Sequence, residues 1–336
     1  EARLDAAPPM VVHGYDAVPV RAPSGTLVVA PEPEGRVPES ALREVLRARG
    51  YSEAVCFAFV GADALRAWQL EEGAIALANP LSHELAVMRT SLLPGLVDAL
   101  RRNLSRQAAR VRLFEIGHTF AAGTEGPRES QCLAGVAIGS AAPEQWGEAR
   151  RALDFHDLKG DIEQLLATTG DAASFAFRPA ARPWLHPGRS AEIVRAGQPI
   201  GLAGALHPAL AGALDLPQDT WVFELAVEPL AARPVPLATE VSRLPSVRRD
   251  LAIVVDRKVP WGALETAIRA AAGPLLRGLV LFDEYSGKGL PDSARSLAIG
   301  LILQDDSRTL TDEDASGIVA SVVAVIAESF GGQLRG

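Results

Sequence analysis

Two stretches near the end of this 336-residue chain alternate apolar and other side chains without a break: Leu251, Ile253 and Val255, then Leu297, Ile299, Leu301 and Leu303. Successive side chains of a strand point to opposite faces, so each stretch reads as a strand with one face to cover. Between them Trp261, Leu264, Ile268 and Ala271 recur at helical spacing until Gly273-Pro274 ends the run. Thr311-Asp-Glu-Asp314 then has the form of a capping box ahead of Ile318, Val319, Val322, Val323 and Ile326. The order strand, helix, strand, strand, helix, short strand predicts a split βαβ unit over 240–336. It has four strands and both helices on one face.

The region from 36 to 236 reads differently. Pro38 and Gly50 frame a helix whose Leu42, Val45 and Leu46 share a side. Ala54–Val60 reads as a buried strand. Ser91 is placed to cap a helix starting near Pro94, along which Leu92, Leu96, Leu100 and Leu104 recur every four residues. Strands follow at Ala109–Phe120 and Leu133–Ile138, a helix at His156–Ala167, and strands near Glu192–Arg195, Gly201–Leu206 and Val222–Val227. Many strands with few intervening helices predict an antiparallel sheet flanked by helices, hence an α+β chain. Pro234 and Pro236 mark Pro229–Glu240 as a linker. Residues 1–35 are rich in Pro, Gly and Ala and read as the remnant of a preceding domain. The chain begins with Glu1, so it reads as a piece of a longer protein.

Composition narrows the function classes. Hydrophobic residues make up 48% and charged residues 22%, the proportions of an ordinary globular protein. A mean hydropathy of +0.12 predicts some apolar surface that a partner covers. No run approaches the ~18 apolar residues of a membrane span, and the first thirty residues lack the order of a signal peptide. Cys56 and Cys132 sit among apolar neighbours without metal-ligand spacing, which reads as reduced thiols in cytosol. A net charge of −8 excludes one large nucleic-acid-binding surface, so any RNA contact is local and DNA is not expected.

Three segments in order carry a family resemblance: Leu244-Pro-Ser-Val-Arg-Arg-Asp-Leu-Ala-Ile-Val-Val-Asp256, Leu281-Phe-Asp-Glu-Tyr-Ser-Gly-Lys-Gly-Leu-Pro291 and Asp306-Ser-Arg-Thr-Leu-Thr-Asp-Glu-Asp314. They resemble the ferredoxin-fold anticodon-binding domain of bacterial phenylalanine–tRNA ligase beta subunits. Upstream, His13-Gly-Tyr-Asp16, Asn79-Pro-Leu-Ser82, Met88-Arg-Thr-Ser-Leu-Leu-Pro-Gly95, Asp154-Phe-His-Asp-Leu-Lys-Gly-Asp161, Leu185-His-Pro-Gly-Arg-Ser-Ala191 and Leu206-His-Pro208 extend it over nearly the whole chain. The resemblance implies a class II synthetase-like antiparallel module over 36–236 that lacks catalysis, followed by a ferredoxin-like βαββαβ domain. It implies a cytoplasmic assembly of two alpha and two beta chains acting on tRNA-Phe, with ATP and Mg2+ handled by the alpha subunit. The rival readings are an RNA-binding adaptor without ligase activity and a self-sufficient monomeric synthetase.

The residues themselves argue against catalysis here. Cationic side chains must hold an adenylate as charge develops on its phosphate. At the second-motif position Arg110-Val-Arg-Leu-Phe-Glu-Ile-Gly117 runs Phe114 directly into Glu115. At the third-motif position Trp221-Val-Phe-Glu-Leu-Ala226 has no closing arginine. Leu4-Asp-Ala-Ala-Pro-Pro9 lacks the paired carboxylates that hold a metal in the family, so no metal site is carried over. His156, Asp157, Asp161 and Glu163 read as a cap and a solvated helix face, because they do not converge. RNA contact is assigned to Arg248, Arg249, Lys288, Arg295 and Arg308 with Tyr285, on strand ends and loops that rim the helix-free face. The competing reading pairs Arg248 and Arg249 with Asp250, Asp256 or Asp283. An alpha-subunit face is assigned to Leu42, Leu46, Leu92, Leu96 and Leu100, with core packing as its rival.

Overall fold

The computed structural model describes residues 33–124, 126–217, 219–238 and 241–335. His13-Gly-Tyr-Asp16 and Leu4–Pro9 lie outside the described residues. The chain divides into two compact units, Glu1–Pro236 and Leu237–Gly336.

In the first unit, helix α1 spans Glu39–Ala48, β1 Ser52–Glu53, β2 Phe59–Val60, α2 Ala62–Trp68, β3 Val87–Met88 and α3 Leu93–Leu104. The long hairpin β4 (Val111–Gly123) and β5 (Gly126–Ile138) follows, then α4 (Phe155–Ala167) and β6 (Phe175–Pro179). Next come β7 (Leu185–Arg195), β8 (Gln198–Leu206), α5 (Pro208–Ala213), β9 (Trp221–Ala226) and α6 (Val227–Ala231). The main sheet runs β1-β4-β5-β9-β8-β7-β6, antiparallel throughout except for the parallel pair β1–β4.

Alternation along the central strands divides the core into two. Phe114, Leu133, Ala137, Phe223 and Leu225 pack against α1 and α4. Val111, Ala134, Val136, Ile138 and Val222 point the other way, against α3. Leu42 and Leu46 belong to the first cluster, and Leu92, Leu96 and Leu100 to the second. All five are wholly buried within this chain, which corrects their assignment to a partner face. A four-residue apolar stripe on a helix that already covers a sheet has no side left to offer. Ala54–Val60 is not one buried strand either. The chain pairs briefly with β4 and then with β3. Between these pairings Val55 and Phe57 stand 93% and 69% exposed while Cys56 packs inward on α3. The linker also starts later than Pro229, because Val227–Ala231 is a helical turn with Leu230 and Ala231 buried.

In the second unit, β10 (Val247–Asp256), α7 (Trp261–Ala272), β11 (Leu276–Tyr285), β12 (Ala294–Leu303), α8 (Asp312–Phe330) and β13 (Gln333–Leu334) form an antiparallel sheet of order β11-β12-β10-β13. That is the βαββαβ arrangement the alternation predicts. Ile253, Val255, Leu297, Ile299, Leu301 and Leu303 meet Leu264, Ile268, Val322 and Ile326 in a single core. The Thr311 hydroxyl and the Asp314 carboxylate close a capping box on α8. Gly331, at φ +63°, takes the left-handed conformation that ends α8 and turns the chain into β13.

Candidate nucleic-acid interface

The helix-free face of the second unit follows from register. Arg248, Asp250, Ala252 and Val254 of β10 stand opposite Ile302, Gly300, Ala298 and Ser296 of β12. Gly300, Ala298 and Ser296 stand in turn opposite Val280, Asp283 and Tyr285 of β11. The β12 part of this face is therefore paved with Ser296, Ala298 and Gly300, none larger than a serine, with Asp250, Ala252 and Val254 of β10 beside them. A β-bulge between Leu281 and Asp283 inserts Phe282. Phe282 and Tyr285 stand 49% and 39% exposed above this low floor.

Cations bracket both rings. Arg248 donates through Nε to Asp250 at 2.8 Å and lies 5.4 Å from the centroid of Phe282. At the other edge the Arg335 amide donates to the Ala252 carbonyl at 2.8 Å, extending the register of β13. Its guanidinium lies 4.9 Å from the Tyr285 centroid. Outer strands of a four-stranded sheet are ~14 Å apart, so this contact crosses the small-residue floor. Tyr285 is oriented by its hydroxyl, which donates to the Lys288 carbonyl at 3.1 Å. A β-carbon at Gly287 would fall 2.8 Å from that hydroxyl, so a larger residue there would require the ring to shift. Exposed π-faces flanked by guanidinium groups suit stacking of unpaired bases with phosphates alongside.

Three sequence-assigned cations lie elsewhere. Arg249 follows Arg248 and so points to the helical side, where it pairs with Asp312 in the first turn of α8. Arg295 stands opposite buried Val255, donates to the Val259 carbonyl at 2.7 Å and pairs with Glu284 at 3.3 Å. Arg308 grips Asp314 through two bonds of 2.6 and 2.8 Å. These bonds hold the Asp314 carboxyl well below the usual carboxylate range, and the salt bridge is part of the α8 cap. Arg249 and Arg295 are removed from the helix-free face by the same alternation that defines it. Arg248, Tyr285 and Lys288 remain, Arg248 tied to Asp250 as the rival reading held. The final short strand was expected from the sequence, but its register, which sets Arg335 beside Tyr285, was not legible there.

A family model described as the phenylalanyl tRNA synthetase beta chain CLM domain matches residues 18–227, and one described as a ferredoxin-fold anticodon binding domain matches 242–335. The chain belongs to the phenylalanyl-tRNA synthetase beta chain family. The phenylalanine–tRNA ligase beta subunit of Xanthomonas axonopodis pv. citri is 50% identical over 327 residues, covering 96% of this chain and 41% of that protein. Its counterpart in Xylella fastidiosa is 47% identical over the same shares. The chain thus spans about two fifths of the length of the curated relatives it matches. A pyrrolysyl tRNA synthetase structure from Desulfitobacterium hafniense covers 57% of this chain and 64% of its own at 17% identity and a TM-score of 0.44.

In this beta chain the residues at the places of the adenylate motifs serve the fold. Asp161, wholly buried, accepts from Arg49 Nε at 2.6 Å, Arg112 Nη1 at 2.8 Å and the Tyr51 hydroxyl at 2.9 Å. It is no solvated helix-face residue, which corrects that part of the sequence reading; Asp157 does cap α4 with Asp154. Burial and the Asp161 charge push the Tyr51 hydroxyl far up. Arg110 donates to the Ser140 and Ala141 carbonyls at 3.2 and 3.3 Å. Glu115 pairs with buried Arg89 at 2.8 Å. Glu224 accepts from the Leu92 amide at 2.7 Å and Ser91 at 2.9 Å, at the start of α3. Burial raises its carboxyl above the usual range. His186 and His207 each use Nδ1 to accept a nearby backbone amide, from Gly188 and Ala209. Among the described residues no cluster of three or more His, Cys, Asp or Glu side chains is placed to hold a metal. None of their helices is long and apolar enough to cross a membrane.

Proposed function

We propose that this chain is a non-catalytic part of a phenylalanine–tRNA ligase beta subunit, acting in the cytoplasm in a heterotetramer of two alpha and two beta chains. Its second unit binds the anticodon region of tRNA-Phe, and its first unit docks the catalytic alpha subunit, which handles ATP and Mg2+. The observation that carries the RNA reading is the pair of half-exposed rings, Phe282 and Tyr285, over a floor of small residues with Arg248 and Arg335 beside them. Family membership supports tRNA-Phe as the RNA. With the leucine stripes buried, the exposed apolar residues Val55, Phe57 and Leu81 become the surface for the alpha subunit. No phenylalanine-dependent ATP–pyrophosphate exchange is expected of the chain alone, since its Arg110 and Arg112 are committed to carbonyls and to Asp161.

Two mixing experiments test this. The chain should retain a tRNA-Phe anticodon stem-loop over a scrambled loop, and it should co-elute with an alpha subunit unless Phe57 is replaced by Asp. Equal retention of both RNAs sinks the first assignment, and undiminished co-elution of a folded Phe57→Asp chain sinks the second.

A further inference from the structure

A second group of features lies beyond the C-terminal end of β5 in the first unit. Residues 141–151 form a closed loop. Its ends are joined by an antiparallel bridge between Ser140 and Ala152 and by the Ala141 amide donating to the Arg151 carbonyl at 3.0 Å. Two arginines of β4 and its approach clamp the base of the loop. Arg110 reaches the Ser140 and Ala141 carbonyls, and Arg112 donates to Ala141 at 2.9 Å. The loop is thus a built element, and at its apex Trp146 stands fully exposed.

Behind the loop lies a cavity of about 520 Å³, walled by Gln107, Ala109, Ser140, Arg150, Arg151 and Pro217 among others. Two arginines and no carboxylate line it among the described residues. Arg151 is held by Asp157 through two bonds of 2.6 Å. Arg150 and Arg106, the residue before Gln107, are exposed and make no side-chain hydrogen bond or ion pair with the described residues. Arg110 binds carbonyls only. The acids of the loop are Glu144 and Glu148, the latter accepting from Gln145. In a chain of net charge −8, this end of the sheet gathers Arg106, Arg110 and Arg150 without a carboxylate partner among the described residues. A bare indole four residues from an unpaired arginine pairs a stacking surface with a phosphate ligand.

We infer that the 141–151 loop and the cavity behind it form a second contact for single-stranded RNA, with a base on Trp146 and backbone phosphates on Arg150 and Arg106. A protein partner for Trp146 would leave these cations unmatched unless it were acidic. RNA satisfies ring and charges together.

The test uses the full chain carrying Tyr285→Ala and Arg335→Ala, so that binding at the sheet face is suppressed, and a labelled single-stranded RNA decanucleotide. Residual binding is expected. Trp146→Ala in this background should weaken it roughly 5- to 150-fold, as for loss of one stacked base. Arg150→Ala and Arg106→Ala should each flatten the slope of log affinity against log salt by about 0.7. Iodide quenching of the Trp146 emission, taken as the difference from Trp146→Phe, should fall when RNA is added. No residual binding, or residual binding indifferent to these substitutions, overturns the inference. So does quenching protection that grows with protein concentration alone, which would assign Trp146 to a contact between copies. If the sheet-face reading fails instead, Tyr285→Ala and Arg335→Ala leave affinity unchanged while Trp146→Ala still lowers it.

Discussion

Replacing Asp161 by Asn should cost the first unit about 3–5 kcal/mol, the usual consequence of stripping one partner from a buried ion pair. The shape is conserved, so the loss is electrostatic. Arg112 has a side chain only 5% exposed, and it would face a neutral amide in place of a carboxylate. The Asn carbonyl oxygen can still accept, but its NH2 would face either the Arg49 donor or those of Arg112 and Tyr51. Arg49 adds little to the cost, because at 45% exposure it can turn to water. Urea unfolding of the full chain, followed by near-ultraviolet circular dichroism, measures the loss. At an m-value of about 3 kcal/mol/M, a loss of about 4 kcal/mol lowers the midpoint of the first unit by about 1.3 M. The transition of the second unit, whose core holds none of these residues, is the internal reference. Glu163→Gln on the same helix removes only a surface pair with Lys159 and should cost less than about 0.5 kcal/mol. A loss for Asp161→Asn no greater than for Glu163→Gln would refute the reasoning.

Leu96→Ala should destabilise the first unit by about 2–5 kcal/mol, and Leu96→Asp should abolish its cooperative transition. An intact fold for the Asp variant would restore the helix as a partner surface. Glu224, whose carboxyl is raised by burial, binds its proton more tightly folded than unfolded. Stability should therefore fall as pH rises above about 4.3, the unfolded value, and Glu224→Gln should remove that decline in urea midpoints measured between pH 4 and 8. Asp314 has the opposite sign, because Arg308 depresses its carboxyl. Its contribution is present above about 3.9 and is lost as pH falls below that value, so Asp314→Asn should flatten the acid limb of amide-exchange protection at the start of α8.

Much of the second unit was legible because its strands alternate cleanly. Leu251, Ile253 and Val255 against Leu297 to Leu303 specify both the pairing and the face the helices cover. The same parity, applied to the cations, separates Arg249 and Arg295 from Arg248 on sequence position alone. Arg335 was out of reach, since its place beside Tyr285 depends on a two-residue strand and a turn at Gly331. In the first unit the helices were legible but their surroundings were not. Leu92, Leu96 and Leu100 make the same stripe whether the sheet beneath them belongs to this chain or another. Val55 and Phe57 carried the composition of a buried strand, yet β4 takes only two residues before the chain leaves the sheet. Asp161 fell on the helix face that the sequence marked as polar, and only its approach to Arg49, Tyr51 and Arg112, far away along the chain, makes that face an interior one.

The most direct test of the proposed role is a salt titration of the full chain against the tRNA-Phe anticodon stem-loop, with Tyr285→Ala and Arg335→Ala beside the wild type. Tyr285→Ala should cost about 1–3 kcal/mol with little change in the slope of log affinity against log salt, as loss of a stacked base requires. Arg335→Ala should flatten that slope by about 0.7, while Arg249→Ala, turned to the helical side, should leave both quantities unchanged. Losses for Arg249→Ala as large as those for Arg335→Ala, or unchanged binding by folded Tyr285→Ala and Arg335→Ala chains, would contradict the assignment of the helix-free face to RNA.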